Sequence, residues 1–366
     1  MRIVVAMSGG VDSSVAAALL SDAGHDVVGL SMQLYDQREN EHFGSCCTLD
    51  DLHDARRTAA TLDIPHYIVN YENSFNRHVV RNFVNEYAAG RTPIPCVHCN
   101  AELKFSHLLD RATALNTEAV ATGHYAQVDR EASTGRYRLR RGVDRKKDQS
   151  YFLFSLNQTQ LARAAFPVGS LNKAQVRSYA RDRGLPVADK PDSQDICFVP
   201  SGDYRTLIDR LRPQGREAGE IVHMDGRVLG AHAGITDYTI GQRRGLNVAV
   251  GDPLFVVRLE PETRRVIVGP REALLTGALT LEETNWLGDE ADFAAAAATG
   301  KGDHAAAAGA VEEMFRVPAT GSLRDLDLLE FETHRLGVEK VRREHVVGGE
   351  RKVGVGHRDL LRAEKA

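Results

Sequence analysis

No stretch of this chain approaches the roughly 18 apolar residues that a membrane-spanning helix needs, and no apolar segment of signal-peptide length precedes a cleavage site. Both absences lead to the expectation of a cytoplasmic protein with no membrane partner. Cysteine is scarce: five residues, odd in number and unevenly spaced, do not make a secreted disulfide framework. They leave reactive thiols, metal ligands or small buried hydrophobes. Positive charge is not in excess either, with Lys+Arg 46 against Asp+Glu 50 and a net charge of -4. A global attraction for nucleic acid is excluded, so any RNA site must be a local basic patch. Neither a Walker A ending nor a GxGxxG fingerprint follows the first strand, so γ-phosphoryl transfer and dinucleotide binding are not implied.

What is present is a chain of 366 residues, 42% hydrophobic and 26% charged, too long for one ordinary core. Short apolar runs at Ile3–Met7, Val27–Gln33, Tyr67–Val69 and Glu118–Ala121 read as strands. Between them the pattern predicts helices over Asp12–Ala23, Leu49–Leu62, Phe75–Ala89 and Leu103–Leu115. That alternation predicts an α/β unit with a parallel sheet. Gly90–Asn100, carrying Pro93 and Pro95, reads as an exposed loop. His124–Arg141 reads as a hairpin with one basic face, and Asn172–Arg183 as a helix ended by Gly184 and Pro186. From about Gly202 brief β-type runs between Gly-rich turns suggest a small β-rich unit, and the alanine runs after Ala294 suggest a linker.

Directly after the first strand stands Ser8-Gly9-Gly10-Val11-Asp12-Ser13-Ser14, followed by a helical pattern. Two glycines let backbone approach an anion, the serines offer hydroxyls, and the helix N-terminus adds unpaired N–H groups and a positive dipole. The site suits a pyrophosphate. It resembles the PP-loop of ATP pyrophosphatases, which cleave ATP between its α- and β-phosphates and pass AMP to a substrate oxygen. The bland alternative is a Ser/Gly turn with a capped helix.

The segments TPIPCVHCNAELKF (92–105), GHY (123–125), KDQSYFL (147–153), FPVG (166–169), DSQDICFVP (192–200) and TIGQRRGL (239–246) resemble, in order, those of bacterial tRNA-specific 2-thiouridylases. The resemblance covers residues 1 to about 285. It implies a PP-loop catalytic unit over 1–201, a small β-rich central unit over 202–270 and a C-terminal β-barrel-like unit over 271–366, the last diverged or incomplete. It further implies ATP-dependent adenylation of the C2 oxygen of a wobble uridine, followed by sulfur transfer. Cys197 becomes the candidate persulfide carrier and Cys99 the candidate nucleophile or resolving thiol. Where the family motif commonly has Asp, this chain has Cys96. That departure keeps open a [4Fe–4S] cluster on Cys96, Cys99 and Cys197, or a zinc site that adds His98.

By the same resemblance Ala6, Met7, Ser8, Gly9, Gly10, Val11, Asp12 and Ser13, with Met32 and Gly123, contact the nucleotide. Asp12 is the candidate for holding Mg²⁺ on the phosphates. Ile94, Pro95, Cys96, His124, Lys147, Asp148 and Gln149 are the candidate tRNA contacts, and Lys104 can neutralise phosphate. The arginines and lysines from Arg136 to Lys147, opposed in the span by Asp144 and Asp148, form the expected local basic patch. Cys46 and Cys47 lie near the family's GSC motif and are read as supporting residues. The implied partners are tRNAs for Lys, Glu and Gln and a cysteine desulfurase or relay protein as sulfur donor. Two rivals stand beside this reading: a PP-loop synthetase acting on a small molecule, which has no use for the thiols, and a nucleotide-sensing or iron–sulfur RNA-binding protein without turnover.

Overall fold

The computed structural model describes residues 1–35, 48–192, 196–199, 204–212, 216–248, 250–275, 280–285, 287 and 338–342. The chain opens with β1 (Arg2–Ala6), α1 (Val11–Asp22), β2 (Asp26–Gln33), α2 (Leu49–Thr61) and β3 (His66–Asn70). Two long helical runs follow. The first joins α3 (Glu72–Phe75), a π-helical segment Asn76–Val80 and α4 (Arg81–Ala88). The second joins α5 (Pro95–His98), a π-helical segment Cys99–His107 and α6 (Leu108–Ala114).

Then come β4 (Ala119–Ala121), the antiparallel hairpin β5 (Ala126–Arg130) and β6 (Tyr137–Arg141), α7 (Gln158–Leu161), β7 (Ala164–Ala165) and α8 (Lys173–Asp182). The five-stranded sheet has order β3-β2-β1-β4-β7 and is parallel throughout. Connections therefore run one way from β1 to β2 and β3 and the other way to β4 and β7. The crevice between β1 and β4, at their carboxyl ends, is the switch point where open α/β sheets bind ligands.

Both faces of the sheet are covered, which is why its strands are apolar runs rather than alternating ones. Along β1, Ile3 and Val5 enter one core cluster with residues of α1, α2 and α8, while Val4 enters the other with the long helical runs. Each such valine or isoleucine, removed from water, contributes about 1.5–3 kcal/mol.

One expectation is corrected here. Gly90–Asn100 is not loop to its end: Pro95 takes the first helical position, where its missing N–H costs nothing, and the helix runs on through Cys96 and Cys99. The thiols of this segment thus project from a helix.

Past α8, α9 (Tyr204–Leu211) leads into β8 (Gly219–His223), β9 (Val228–His232), β10 (Phe255–Glu260) and β11 (Arg265–Gly269). These pair in the order β10-β11-β8-β9 around a small core of Ile221, Val256, Val266 and Val268. A Cβ on Gly90, at the end of α4, would lie 2.9 Å from Pro261 Cγ, so only glycine lets the β unit seat there. Of the remainder, β12 (Thr280–Thr284) pairs with β13 (Val338–Arg342). The alanine runs lie outside the described residues, as do Cys46 and Cys47.

Candidate active site: a phosphate cradle tied to the thiol segments

The cradle is built by close approach of backbone. Gly9 has φ +75°, and a Cβ there would lie 2.1 Å from the Asp51 carbonyl oxygen at the start of α2. Gly123, one residue past the end of β4, sits equally close: its Cβ would meet Ser13 N at 2.5 Å and Asp12 C at 2.6 Å. Gly10 is different. It caps α1 at φ −91° and ψ 162°, and a Cβ there would meet only Ser8 Oγ, at 3.6 Å. Ser13 Oγ accepts from Ser8 N at 3.2 Å and donates to Gly10 O at 3.1 Å, holding the loop open around the first N–H groups of α1. Such a helix start attracts an anion.

The side chains of Met7 and Val11 are buried in the core, and Ala6 packs against it, so the cradle face belongs to Ser8, Gly9, Gly10, Asp12 and Ser13. Met32 is buried at 7% exposure within the apolar cluster on the opposite face from α1. Beside it Ser31 Oγ donates to Met7 O at 2.7 Å and lies 2.9 Å from His66 Nε2.

Asp12 is engaged by the protein itself. Lys173 Nζ donates to both of its oxygens at 2.8 and 2.9 Å, and Tyr125 OH donates to Oδ1 at 2.7 Å. As arranged, Asp12 does not fit the Mg²⁺ expected there, because the cation on its carboxylate is an ammonium. Burial, and then the Asp12 carboxylate, push the Tyr125 hydroxyl far above its ordinary range, so it remains a donor.

Lys173 also pairs with Asp192 at 2.8 Å, and Asp192 takes Lys147 at 2.7 Å and Arg177 at 2.8 Å. Burial alone would raise this carboxyl; Lys147 and Lys173 overcome it and hold Asp192 down at about 2. A second lysine, Lys190, donates to Gly9 O at 3.1 Å, Asp51 Oδ1 at 2.6 Å and Asp54 Oδ2 at 2.7 Å. Residues 190–192 are therefore tied to the cradle directly through Lys190 and through the Lys173 bridge. Five residues on stands Cys197.

Phe198 and Val199, 2% and 3% exposed, anchor that segment in the core. Phe198 meets Phe75 and Phe83 edge to face, with centroids 5.5 and 5.2 Å apart. Cys99 belongs to this same apolar cluster, and Cys197 packs against it. The neighbouring Asn100 is buried and donates its amide to Phe152 O at 3.0 Å, joining the Cys99 helix to the 147–153 segment. The cluster and zinc alternatives do not fit. Cys96 faces solvent while Cys99 faces the core, and among the described residues no three His, Cys, Asp or Glu side chains converge as metal ligands.

The expected RNA contacts divide. Ile94 and Cys96 are exposed, whereas Pro95 is buried. His124 is half-buried, its Nδ1 2.7 Å from Thr122 Oγ1, and burial followed by the nearby Lys104 charge keeps its imidazole well below the usual range. Asp148 is buried, accepting from Gly142 N at 2.7 Å and Ser150 Oγ at 2.9 Å; its carboxylate organises the loop and is closed to RNA in this arrangement. Gln149 Oε1 accepts from Tyr125 N at 3.2 Å.

The basic hairpin is largely neutralised across its own strands. Arg138 pairs with Asp129 at 2.8 Å and Glu131 at 2.7 Å, and Arg140 with Asp129 at 2.7 Å. Sequence reading counted only Asp144 and Asp148 against the patch because the opposing acids lie on the partner strand. It also missed Lys173, Lys190, Tyr125 and Asp192 as site residues. Tyr125 and Asp192 stand inside the quoted GHY and DSQDICFVP segments, but Lys173 and Lys190 carry no local signal.

A family model described as the tRNA methyl transferase HUP domain matches residues 1–201, and one described as the tRNA methyl transferase PRC-barrel domain matches 206–270. The tRNA-specific 2-thiouridylase MnmA of Caulobacter sp. (strain K31) is 58% identical over 300 residues, 82% of this chain and 73% of that protein. Its counterpart from Caulobacter vibrioides is 57% identical over 302 residues, 82% of this chain and 79% of that protein. Among solved structures, the U34-tRNA thiolase NcsA of Methanococcus maripaludis with its [4Fe-4S] cluster matches at TM-score 0.34 and 16% identity, covering 58% of this chain and 67% of that one. At that level its cluster remains a property of that protein. With identities above one half over four fifths of its length, this chain belongs to the tRNA-specific 2-thiouridylase family.

Proposed function

We propose that this protein uses ATP to replace the C2 oxygen of a tRNA wobble uridine with sulfur. The observation that carries the reading is the double tie between the phosphate cradle and the thiol segment: Lys190 on Gly9 and Lys173 shared by Asp12 and Asp192, with Phe198 seating Cys197 against the cluster that contains Cys99. A methyl transfer has no use for such a cradle, and small-molecule adenylation has no use for the thiols.

In the proposed sequence the uridine O2 attacks the α-phosphorus of ATP, pyrophosphate leaves, and the N3 proton is lost to solvent. The terminal sulfur of a Cys197 persulfide then attacks C2 and expels AMP with the original oxygen. The Cys99 thiolate attacks Sγ of Cys197, forming the Cys99–Cys197 disulfide and releasing 2-thiouridine. An external thiol reductant resets the pair. The N–H groups of α1 bind and orient the phosphates, and Lys173 fixes Asp12 and Asp192 beside them. Magnesium, if it accompanies ATP, finds its ligands chiefly among phosphates and water, as this ion commonly does.

Residues 1–201 form the catalytic unit in this reading, 202–270 a central unit and 271–366 a C-terminal barrel-like unit. tRNAs for Lys, Glu and Gln are the substrates, and a cysteine desulfurase or relay protein loads Cys197. Ile94, Cys96, His124 and Lys147 frame the extruded base and its backbone. Among the described residues no helix is long and apolar enough to cross a membrane.

The test is incubation of the full chain with ATP, unmodified tRNA and a persulfide donor, read by mass spectrometry of tRNA nucleosides. 2-Thiouridine with equimolar AMP is expected, and none from Cys99→Ser or Cys197→Ser. Thiolation that persists in both variants would remove the thiols from the chemistry.

A further inference from the structure

With Arg138 and Arg140 of the hairpin spent on Asp129 and Glu131, further cations that meet RNA are sought elsewhere. The β unit answers with a pattern. Most of its arginines are matched to acids nearby: Arg216 with Asp237, Arg227 with Asp225, Arg258 with Glu260, Arg265 with Glu220. Arg243 and Arg244 break it. Both are exposed, and no described acidic side chain pairs with either.

They stand on a turn that is braced from within. Gln242 Oε1 accepts from Thr239 N at 3.0 Å, and Gln242 Nε2 donates to Arg244 O at 2.9 Å. Gly241 and Gly245, with φ of +87° and +76°, bound the arginines on either side. The turn is fastened to β10 by Gly241 N to Val256 O at 2.7 Å and Val256 N to Gln242 O at 2.9 Å. Along that same β10, Leu259 and the following Pro261 pack against Gly90 at the end of α4, the helix whose end precedes the Ile94–Cys99 segment. None of these bonds uses a guanidinium. A braced turn carries two adjacent, exposed arginines with no acidic partner among the described residues, in the β unit that meets α4 at Gly90. Each guanidinium is an exposed fork of N–H donors that an anion can engage.

We infer that Arg243 and Arg244 form a phosphate-binding site for the sugar–phosphate backbone of the substrate tRNA, separate from the pocket that receives the base. The inference rests on the reading of this chain as a tRNA enzyme. A bidentate guanidinium suits phosphate oxygens, and contacts of this kind set affinity and register without reading sequence.

The test measures binding of transcribed tRNA to the full chain by filter retention between 50 and 300 mM salt. For the double variant Arg243→Ala/Arg244→Ala the slope of log affinity against log salt should shrink by about 1–2, as loss of one or two phosphate contacts requires. Affinity at 100 mM salt should fall about tenfold. Arg243→Lys/Arg244→Lys should recover most of the slope, and Arg138→Ala/Arg140→Ala should leave it near the wild-type value. Circular dichroism and the thermal midpoint of the double variant should match wild type, since the turn is braced by Gln242 and the backbone. A folded double variant with wild-type slope and affinity overturns the site while leaving the proposed function standing. Failure of the wild-type chain itself to bind tRNA at any salt overturns both.

Discussion

Replacing Gly10 by alanine separates two reasons for a glycine. A Cβ at Gly10 meets nothing of the protein closer than Ser8 Oγ at 3.6 Å, and φ −91° with ψ 162° is ordinary extended backbone. The fold should lose only the preference of a helix N-cap for glycine over alanine, about 0.5–1 kcal/mol. That corresponds to a fall of about 1–4 °C in the thermal midpoint for a unit of this size. Nucleotide chemistry should suffer far more. A methyl group on the cradle face forces a phosphate away from the N–H groups of α1, and one charged hydrogen bond lost costs about 1.5–3 kcal/mol, or about ten- to a hundredfold in kcat/KM for ATP. The assay is tRNA-dependent AMP release at varied ATP, beside a thermal melt. Gly9→Ala is the contrasting variant, since its Cβ would lie 2.1 Å from Asp51 O and its φ is +75°, so stability and activity should fall together. Should folded Gly10→Ala keep AMP release within about threefold of wild type, the phosphates do not pass over this loop and the cradle is misassigned.

Asp192→Asn should destabilise the chain by about 1–2 kcal/mol at pH 7, the carboxyl's depression to about 2 being discounted for partial solvent screening. Because the folded value is depressed, this stabilisation is complete above about pH 4 and disappears as pH falls toward 2, so wild-type and variant unfolding curves should converge there; a pH-independent gap would place the effect in packing. Phe198→Ala, which empties a site lined by Phe75 and Phe83, should cost about 3–5 kcal/mol in denaturant unfolding, and a loss under 1 kcal/mol would mean that the segment is not seated as described. Cys96→Ser should retain thiolation within a few fold, because this thiol is exposed whereas Cys99 is buried; complete loss would restore the cluster ligand set that the geometry disfavours.

The local rules were strong where one backbone segment settles its own conformation. Strand periodicity located β1 to β4 to within two residues, and the helix read over Asn172–Arg183 is α8, with Asn172 as its cap. The run of serines and glycines before α1 announced an anion site because helix starts are electropositive whatever surrounds them. Local reading failed at Pro95, where a residue that breaks helices in their interior begins one instead. It failed again at the hairpin, where period-2 alternation showed the arginines of β6 but not Asp129 of β5, which faces Arg138, nor Glu131 just beyond it.

What the sequence determined by itself was the nucleotide loop, the thiols and the order of the elements, since each depends on neighbours a few positions apart. The tertiary structure alone decided which charges are spent and which are available. Lys173 reaches Asp12 across 161 positions and Lys190 reaches Gly9 across 181, and no local pattern encodes such pairs. A charge's role depends on what lies within a few ångströms of it, and that distance is set by how the sheet brings remote segments to one edge.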